Sequence, residues 1–209
     1  MTQESTKADG PRVGVLALQG DVREHVAMLE RLGAEAVRVR RPEEFATVDG
    51  LIIPGGESSV IDKLTRMFGL ADPIREAIRA GMPMFGTCAG LIMLADRLVD
   101  AIDGQQTFGG LDVTVRRNAF GRQVDSFEGP VAVPSLGGDP VRAAFIRGPV
   151  VDTVGPDASV LAALDDGSVV AVEQGNLLGI SFHPEISGEP RFHERFLQRV
   201  AERIAVREG

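Results

Sequence analysis

Four short apolar runs, each followed by helical periodicity or a turn, occupy residues 12–98 and leave the chain few architectures. "RVGVLAL" (12–18) leads into "QGDVREHVAMLERLG" (19–33). There Val22, Val26, Leu29 and Leu32 recur at helical spacing, Asp21 can cap the start with Glu24 three residues on, and Gly33 supplies the stop. "EAVRV" (35–39) and "DGLIIPGG" (49–56) continue the strand series, followed by helical patterns at 58–69 and 72–81, the second with Pro73 near its first turn. "MPMFG" (82–86) is the fourth strand and runs into "CAGLIMLADRL" (88–98), which is expected to be helical throughout. Strands that alternate with helices, and that lack polar alternation of their own, specify an open parallel α/β sheet covered by helices on both faces.

The later sequence breaks this rhythm. Short strands at 111–117, 130–134, 143–147, 160–164, 168–175 and 176–182 have few helices between them, and the turns "DDG" (165–167) and "GN" (175–176) suit hairpins. Antiparallel strands added to the parallel sheet are therefore expected in the C-terminal half, closed by a helix at 190–208 whose stripe is Phe192, Phe196, Val200 and Ile204. Residues 1–11 are polar and are expected to be a disordered tail, leaving 12–209 as a single domain without an interdomain linker.

A net charge of −8 offers no basic stripe to nucleic acid or to an anionic membrane. No apolar run reaches the ~18 residues that span a bilayer, and the polar N-terminus has no secretory h-region. A single cysteine rules out an intramolecular disulfide and fits a reducing compartment, so a cytoplasmic protein is expected.

That cysteine, Cys88, lies in "GTCAG" (86–90), where strand four meets the next helix. Small neighbours permit the sharp strand-to-helix turn that lifts a nucleophile above a sheet, as in a G-x-S-x-G elbow with Cys in place of Ser. The helix start favours a thiolate, and the following N–H, from Ala89, points where an oxyanion would form. A buried structural cysteine is the plainer alternative. Of the three histidines, His25 and His193 fall in helical segments rich in charge, where a solvated surface role is expected. His183 ends a strand and begins "HPE". In extended chain residues i and i+2 share a side, so Glu185 can orient the His183 ring, although a loop histidine beside a chance acid is the plainer alternative. "PGGESS" (54–59) follows strand three, and its glycine N–H groups can approach a ligand or form an ordinary turn.

In this order, "PGG", "G-x-C-x-G" and "HPE" resemble the class I, triad-type glutamine amidotransferases. "LALQGDVREH", "PGGESS", "FGTCAGLI", "RRNAFGRQVDSFE", "FIRGP" and "SFHPE" are similar to the glutaminase subunits of pyridoxal 5'-phosphate synthases, over roughly residues 12–200. The resemblance implies a flavodoxin-like sheet and a Cys88–His183–Glu185 triad with Gly56 and Ala89 as oxyanion donors. It also implies a glutamine site formed by Gly56, Glu57, Ser58, Arg117, Ile146 and Arg147. It implies hydrolysis of L-glutamine through a glutamyl thioester. Ammonia would pass to a separate (β/α)8-barrel synthase in a hetero-oligomer, which makes pyridoxal 5'-phosphate from ribose 5-phosphate and glyceraldehyde 3-phosphate. Neither a metal nor a cofactor is expected in this chain. Gln19, at the end of strand one, is the candidate for relaying partner contact to the Gly-Gly loop. The alternatives are a stand-alone cysteine hydrolase, a binding module that keeps the elbow, and an amidotransferase serving another acceptor.

Overall fold

The computed structural model describes residues 10–117, 127–146 and 148–209. The first half of the chain runs β1 (Arg12–Leu16), α1 (Val22–Arg31), β2 (Glu35–Val39), α2 (Pro42–Phe45), β3 (Gly50–Ile53), α3 (Ser58–Met67), α4 (Ala71–Arg79), β4 (Met84–Thr87) and α5 (Ala89–Leu94). Strands β5 (Ala95–Val99), β6 (Leu111–Arg116), β7 (Phe127–Val131), β8 (Val141–Phe145), β9 (Val150–Val154), β10 (Ser159–Ala163), β11 (Val169–Gln174) and β12 (Leu177–Ile180) follow. Helices α6 (Pro184–Ser187) and α7 (Arg191–Glu208) end the chain.

The main sheet has the order β2-β1-β3-β4-β12-β11-β9-β6-β5, with β10 paired to β11 outside that path, and β7 and β8 form a separate antiparallel pair. Strands β2, β1, β3, β4 and β12 are mutually parallel, whereas β12–β11, β11–β9 and β9–β6 are antiparallel. The expected mixed sheet is therefore present, with both hairpins closed at the anticipated turns. Both faces of β3 are dry. Leu51 and Ile53 enter one core with Leu70, Ile74 and Leu91 of the neighbouring helices, while Ile52 enters the other with Val26, Leu29, Phe192, Phe196 and Val200. Side-chain alternation along the strand sends an apolar residue to each side, which is why the strand shows no polar alternation.

One topological fact positions the site. β12 inserts beside β4 in parallel register, Ile180 opposite Thr87, so residues separated by about 90 positions in sequence end at the same edge. The Cys88 N–H continues the ladder, donating to Ile180 O at 2.8 Å. The two glycines around Cys88 are required by close approach. A Cβ on Gly90 would lie 2.0 Å from Ile53 O, and one on Gly86 would lie 2.4 Å from Gly90 O.

Several expectations need correction. The helix after Cys88 stops at Leu94, and residues 95–99 form β5, because pairing with β6 satisfies a backbone that the helical pattern of "ADRL" would have kept internal. β9 was not anticipated, and β7 and β8 begin two or three residues before the apolar runs expected to mark them, at 127 and 141 rather than 130 and 143. The "HPE" segment is not extended: Pro184 occupies the first position of a helical turn, for which its fixed φ is suited. Residues 1–9 of the expected tail, positions 118–126 of "RRNAFGRQVDSFE", and Arg147 lie outside the described residues.

Candidate active site

Cys88 sits between β4 and α5 at φ 49°, ψ −104°, one of two non-glycine residues with positive φ among those described. Such a conformation costs about 1–3 kcal/mol and persists where the surroundings enforce it. Here the enforcement is the Ile180 hydrogen bond behind the residue and the close packing of Gly90 on β3. The thiol is nearly buried and lies 3.9 Å from Ile146 O. Ala89, also buried, takes the first helical position, where a backbone N–H has no partner within its own helix.

His183 follows β12 and is anchored by its N–H to Ala144 O at 2.9 Å. Its Nδ1 lies 2.8 Å from Glu185 Oε1 and 3.3 Å from Asp21 Oδ2. The helical turn after Pro184 thus achieves the meeting of His183 and Glu185 that an extended segment was expected to produce. Burial works against a charged His183, but hydrogen bonds to Asp21, Cys88 and Glu185 outweigh it and push its pKa up to about 12. The ring is therefore an imidazolium at neutral pH. Glu185 is buried, which raises its pKa against the lowering influence of His183, and its Oε2 has no hydrogen-bond partner among the described residues.

These groups open onto a cavity of about 340 Å³. Gly56, Glu57, Ser58, Arg117 and Ile146 line it together with Cys88 and His183, so every described residue of the expected glutamine site is a wall of one space, while Ala89 and Glu185 do not line it. Arg117 is buried, with Nη2 2.7 Å from Glu57 Oε1 and Nη1 2.9 Å from Gln105 Oε1; Gln105 in turn donates to Ser58 Oγ at 3.0 Å. Gln19 also lines the cavity, and its Oε1 accepts the Glu57 N–H at 2.8 Å. Gly56, at φ 152°, holds a conformation that strains any L side chain, and a Cβ there would displace the Gln19 amide, whose Oε1 would lie 2.2 Å away.

Asp21, His183 and Glu185 bring one ligand atom each within 4.8 Å of one another, a spacing a divalent cation accepts. A metal there would have to displace the proton of a strongly basic imidazole, so the donor set suits hydrogen bonding better than coordination.

Three side chains depart from their expected roles. Asp21 is the N-cap of α1 but makes no side-chain capping bond; its carboxylate faces His183 instead. His25 and His193 are not solvated surface residues: both are fully buried, and His25 Nδ1 lies 2.9 Å from His193 Nε2. Their signal was available in the helical stripes. His25 falls three residues after Val22 and four before Leu29, on the apolar face, and His193 is followed seven residues later by Val200. Local charge density concealed it.

A model of the SNO glutamine amidotransferase family matches residues 15–202. A pyridoxal 5'-phosphate synthase subunit PdxT from Leifsonia xyli subsp. xyli is 65% identical over 197 residues, covering 94% of this chain and 100% of that protein. A protein of the same name from Streptomyces avermitilis is 57% identical over 190 residues, covering 91% and 94%. A crystal structure of a glutamine amidotransferase superimposes with a TM-score of 0.84 at 46% identity, covering 90% of this chain and 98% of the other. With the family pattern running through nearly all of its length and Cys88, His183 and Gly56 lining one cavity, the chain belongs to the SNO glutamine amidotransferase family.

Proposed function

We propose that the chain hydrolyses L-glutamine to L-glutamate and ammonia with Cys88 as nucleophile, His183 as acid and base, and Glu185 as the residue that orients His183. The observation that carries this reading is His183 held by Glu185 at 2.8 Å while sharing the cavity with a strained Cys88. The Cys88 thiolate adds to the side-chain amide carbon, and the N–H groups of Gly56 and Ala89 receive the oxyanion. The C–N bond breaks as the His183 imidazolium protonates the leaving nitrogen, releasing ammonia. The neutral ring then takes a proton from water, which adds to the thioester. Collapse expels the thiolate and leaves glutamate.

Glutamine's α-carboxylate and α-ammonium require a paired cation and anion. The Arg117–Glu57 pair supplies both on one wall, with Ser58 and the exposed Ile146 beside it, and Arg147 is proposed as a further carboxylate ligand. Arg117→Ala is expected to raise KM for glutamine roughly tenfold or more while kcat changes less, because the grip is the same in ground and transition states. Steady-state kinetics with an unchanged KM would make Arg117 only a structural partner of Glu57 and Gln105.

The name borne by the relatives, a pyridoxal 5'-phosphate synthase subunit, supports delivery of ammonia to a separate synthase in a hetero-oligomer. We take that synthase to be a (β/α)8 barrel using ribose 5-phosphate and glyceraldehyde 3-phosphate. Residues 12–209 act as one domain in this reading, in the cytoplasm; no helix among the described residues is long and apolar enough to cross a membrane. The partner also gates the enzyme. Asp21 N–H donates to Gly55 O at 3.3 Å and Gln19 Oε1 accepts the Glu57 N–H, so the peptides around Gly56 are held from outside the catalytic groups. Docking that turns the Gly56 N–H toward the oxyanion would add about 10²–10³ in kcat. Glutaminase turnover and pyridoxal 5'-phosphate formation, measured with and without the synthase, test the reading. Turnover should rise on mixing and the product appear only in the mixture. Full activity of the isolated chain would refute gating, and normal activation of Gln19→Ala would remove Gln19 from the relay.

A further inference from the structure

Behind Cys88 and His183 runs a buried chain of side chains that do not line the cavity: hydrogen bonds join His193, His25 and Thr87, and an electrostatic contact reaches Glu185. His193 Nε2 lies 2.9 Å from His25 Nδ1, and His25 Nε2 lies 3.1 Å from Thr87 Oγ1 and 3.5 Å from Glu185 Oε1. All four residues are buried. The same carboxylate oxygen that meets His183 Nδ1 therefore also meets His25 Nε2. Phe85 packs edge-on against both rings of the histidine pair, at centroid separations of 6.3 and 5.2 Å, which fixes their planes.

The protonation of this chain follows from its ends. Burial, with the neighbouring His193 and His183, lowers the His25 pKa well below its usual value; burial and nearby Arg31 lower that of His193 to about 3. Both rings are thus neutral at physiological pH and carry one N–H each. His193 Nδ1 has no partner among the described residues. A proton there would be a buried donor without an acceptor, and it would force His25 Nε2 to present a lone pair to the Glu185 carboxylate. The other arrangement avoids both penalties: His193 Nε2–H donates to His25 Nδ1, and His25 Nε2–H donates to Thr87 Oγ1 with its positive end 3.5 Å from Glu185 Oε1.

We propose that His25, its tautomer set by His193, is a positioning residue for glutamine hydrolysis, turning its Nε2–H toward Thr87 and Glu185 so that the carboxylate stays ionised and aimed at His183. The proposal rests on the functional reading above. A positive dipole at Oε1 matters to Glu185 because the carboxylate is buried and Asp21 stands nearby as a second acidic group, both of which disfavour its ionised form. The charged or titratable groups facing the chain are His183 and Asp21 beyond Glu185, and Arg31 beside His193.

The test compares His25→Leu with His25→Gln in the full chain assembled with its synthase, reading kcat, KM and the pH profile of kcat. His25→Leu should lower kcat about ten- to a hundredfold, the range expected when a buried charged group loses a polar neighbour, with KM unchanged. Removing a positive dipole from beside a carboxylate disfavours its ionised form, so the acid limb of kcat should move to higher pH. His25→Gln, whose amide places a donor near the Nε2 position, should restore most of the rate and the acid limb. A wild-type rate and acid limb in His25→Leu would overturn the proposal, as would equal impairment of both variants with the acid limb unmoved. If His25→Leu does not fold, His193→Gln, which keeps a donor toward His25, should exceed His193→Leu in kcat with the same displacement of the acid limb in the latter; equal values would overturn it. Wild-type protein that fails to hydrolyse glutamine would defeat the functional reading itself, a failure separate from these.

Discussion

Cys88→Ser is expected to reduce glutamine hydrolysis by roughly 10⁴-fold or more, the scale on which nucleophile removal acts in hydrolases that use a triad. The change exchanges one atom for a slightly smaller one. The positive φ, the N–H bond to Ile180 and the packing of Gly90 on Ile53 all belong to the backbone and survive it. What is lost is the sulfur nucleophile: a thiol yields its reactive anion far more readily than a serine hydroxyl does. The melting temperature should therefore stay near that of the wild type while turnover disappears. A glutamine-like electrophile should label the wild-type chain at Cys88. Label found elsewhere by mass spectrometry, or turnover by the variant close to wild type, would remove the nucleophile assignment.

The second large effect is expected at the base. His183→Asn should be about as damaging as loss of the nucleophile, because triad members act as a unit. No other histidine can substitute: His25 and His193 are buried beneath the site and do not line the cavity. Glu185→Gln should cost less, by one to two orders of magnitude relative to His183→Asn on the pattern of about 3 × 10⁴ against about 2 × 10⁶ for the acid and base of a comparable triad. The geometry adds a reason. Asp21 Oδ2 lies 3.3 Å from the same Nδ1 and keeps a carboxylate beside the ring when Glu185 is neutralised. Steady-state turnover of the two variants checks the ranking. Glu185→Gln as inactive as His183→Asn would mean that Asp21 gives no support, and a vigorous His183→Asn would place the base elsewhere.

Much of this site is legible in the sequence. "GTCAG" announced an elbow because a sharp turn demands small residues next to Cys88, and "HPE" paired its two side chains because two residues of chain cannot carry them far apart. Both are local constraints, and local constraints are written in adjacent letters. The same holds for β1 to β4 and for α1, α3 and α4, whose periodicities predict them. Where local preference and partner disagreed, the partner won: residues 95–99 read as helix and form a strand, because β6 lies ready to accept their backbone hydrogen bonds.

The sequence by itself determined the parallel α/β framework, the position of the thiol at a strand end and the pairing of His183 with Glu185. Only the tertiary structure decided that β12 inserts beside β4, which brings His183 to Cys88, and that Asp21 turns from capping a helix to facing an imidazole. It alone decided that two histidines among charged neighbours are dry and joined to Glu185. The physical reason is the same in each case. Strand order and burial depend on contacts between segments distant in the chain, and no residue's immediate neighbours record which segment will pack against it.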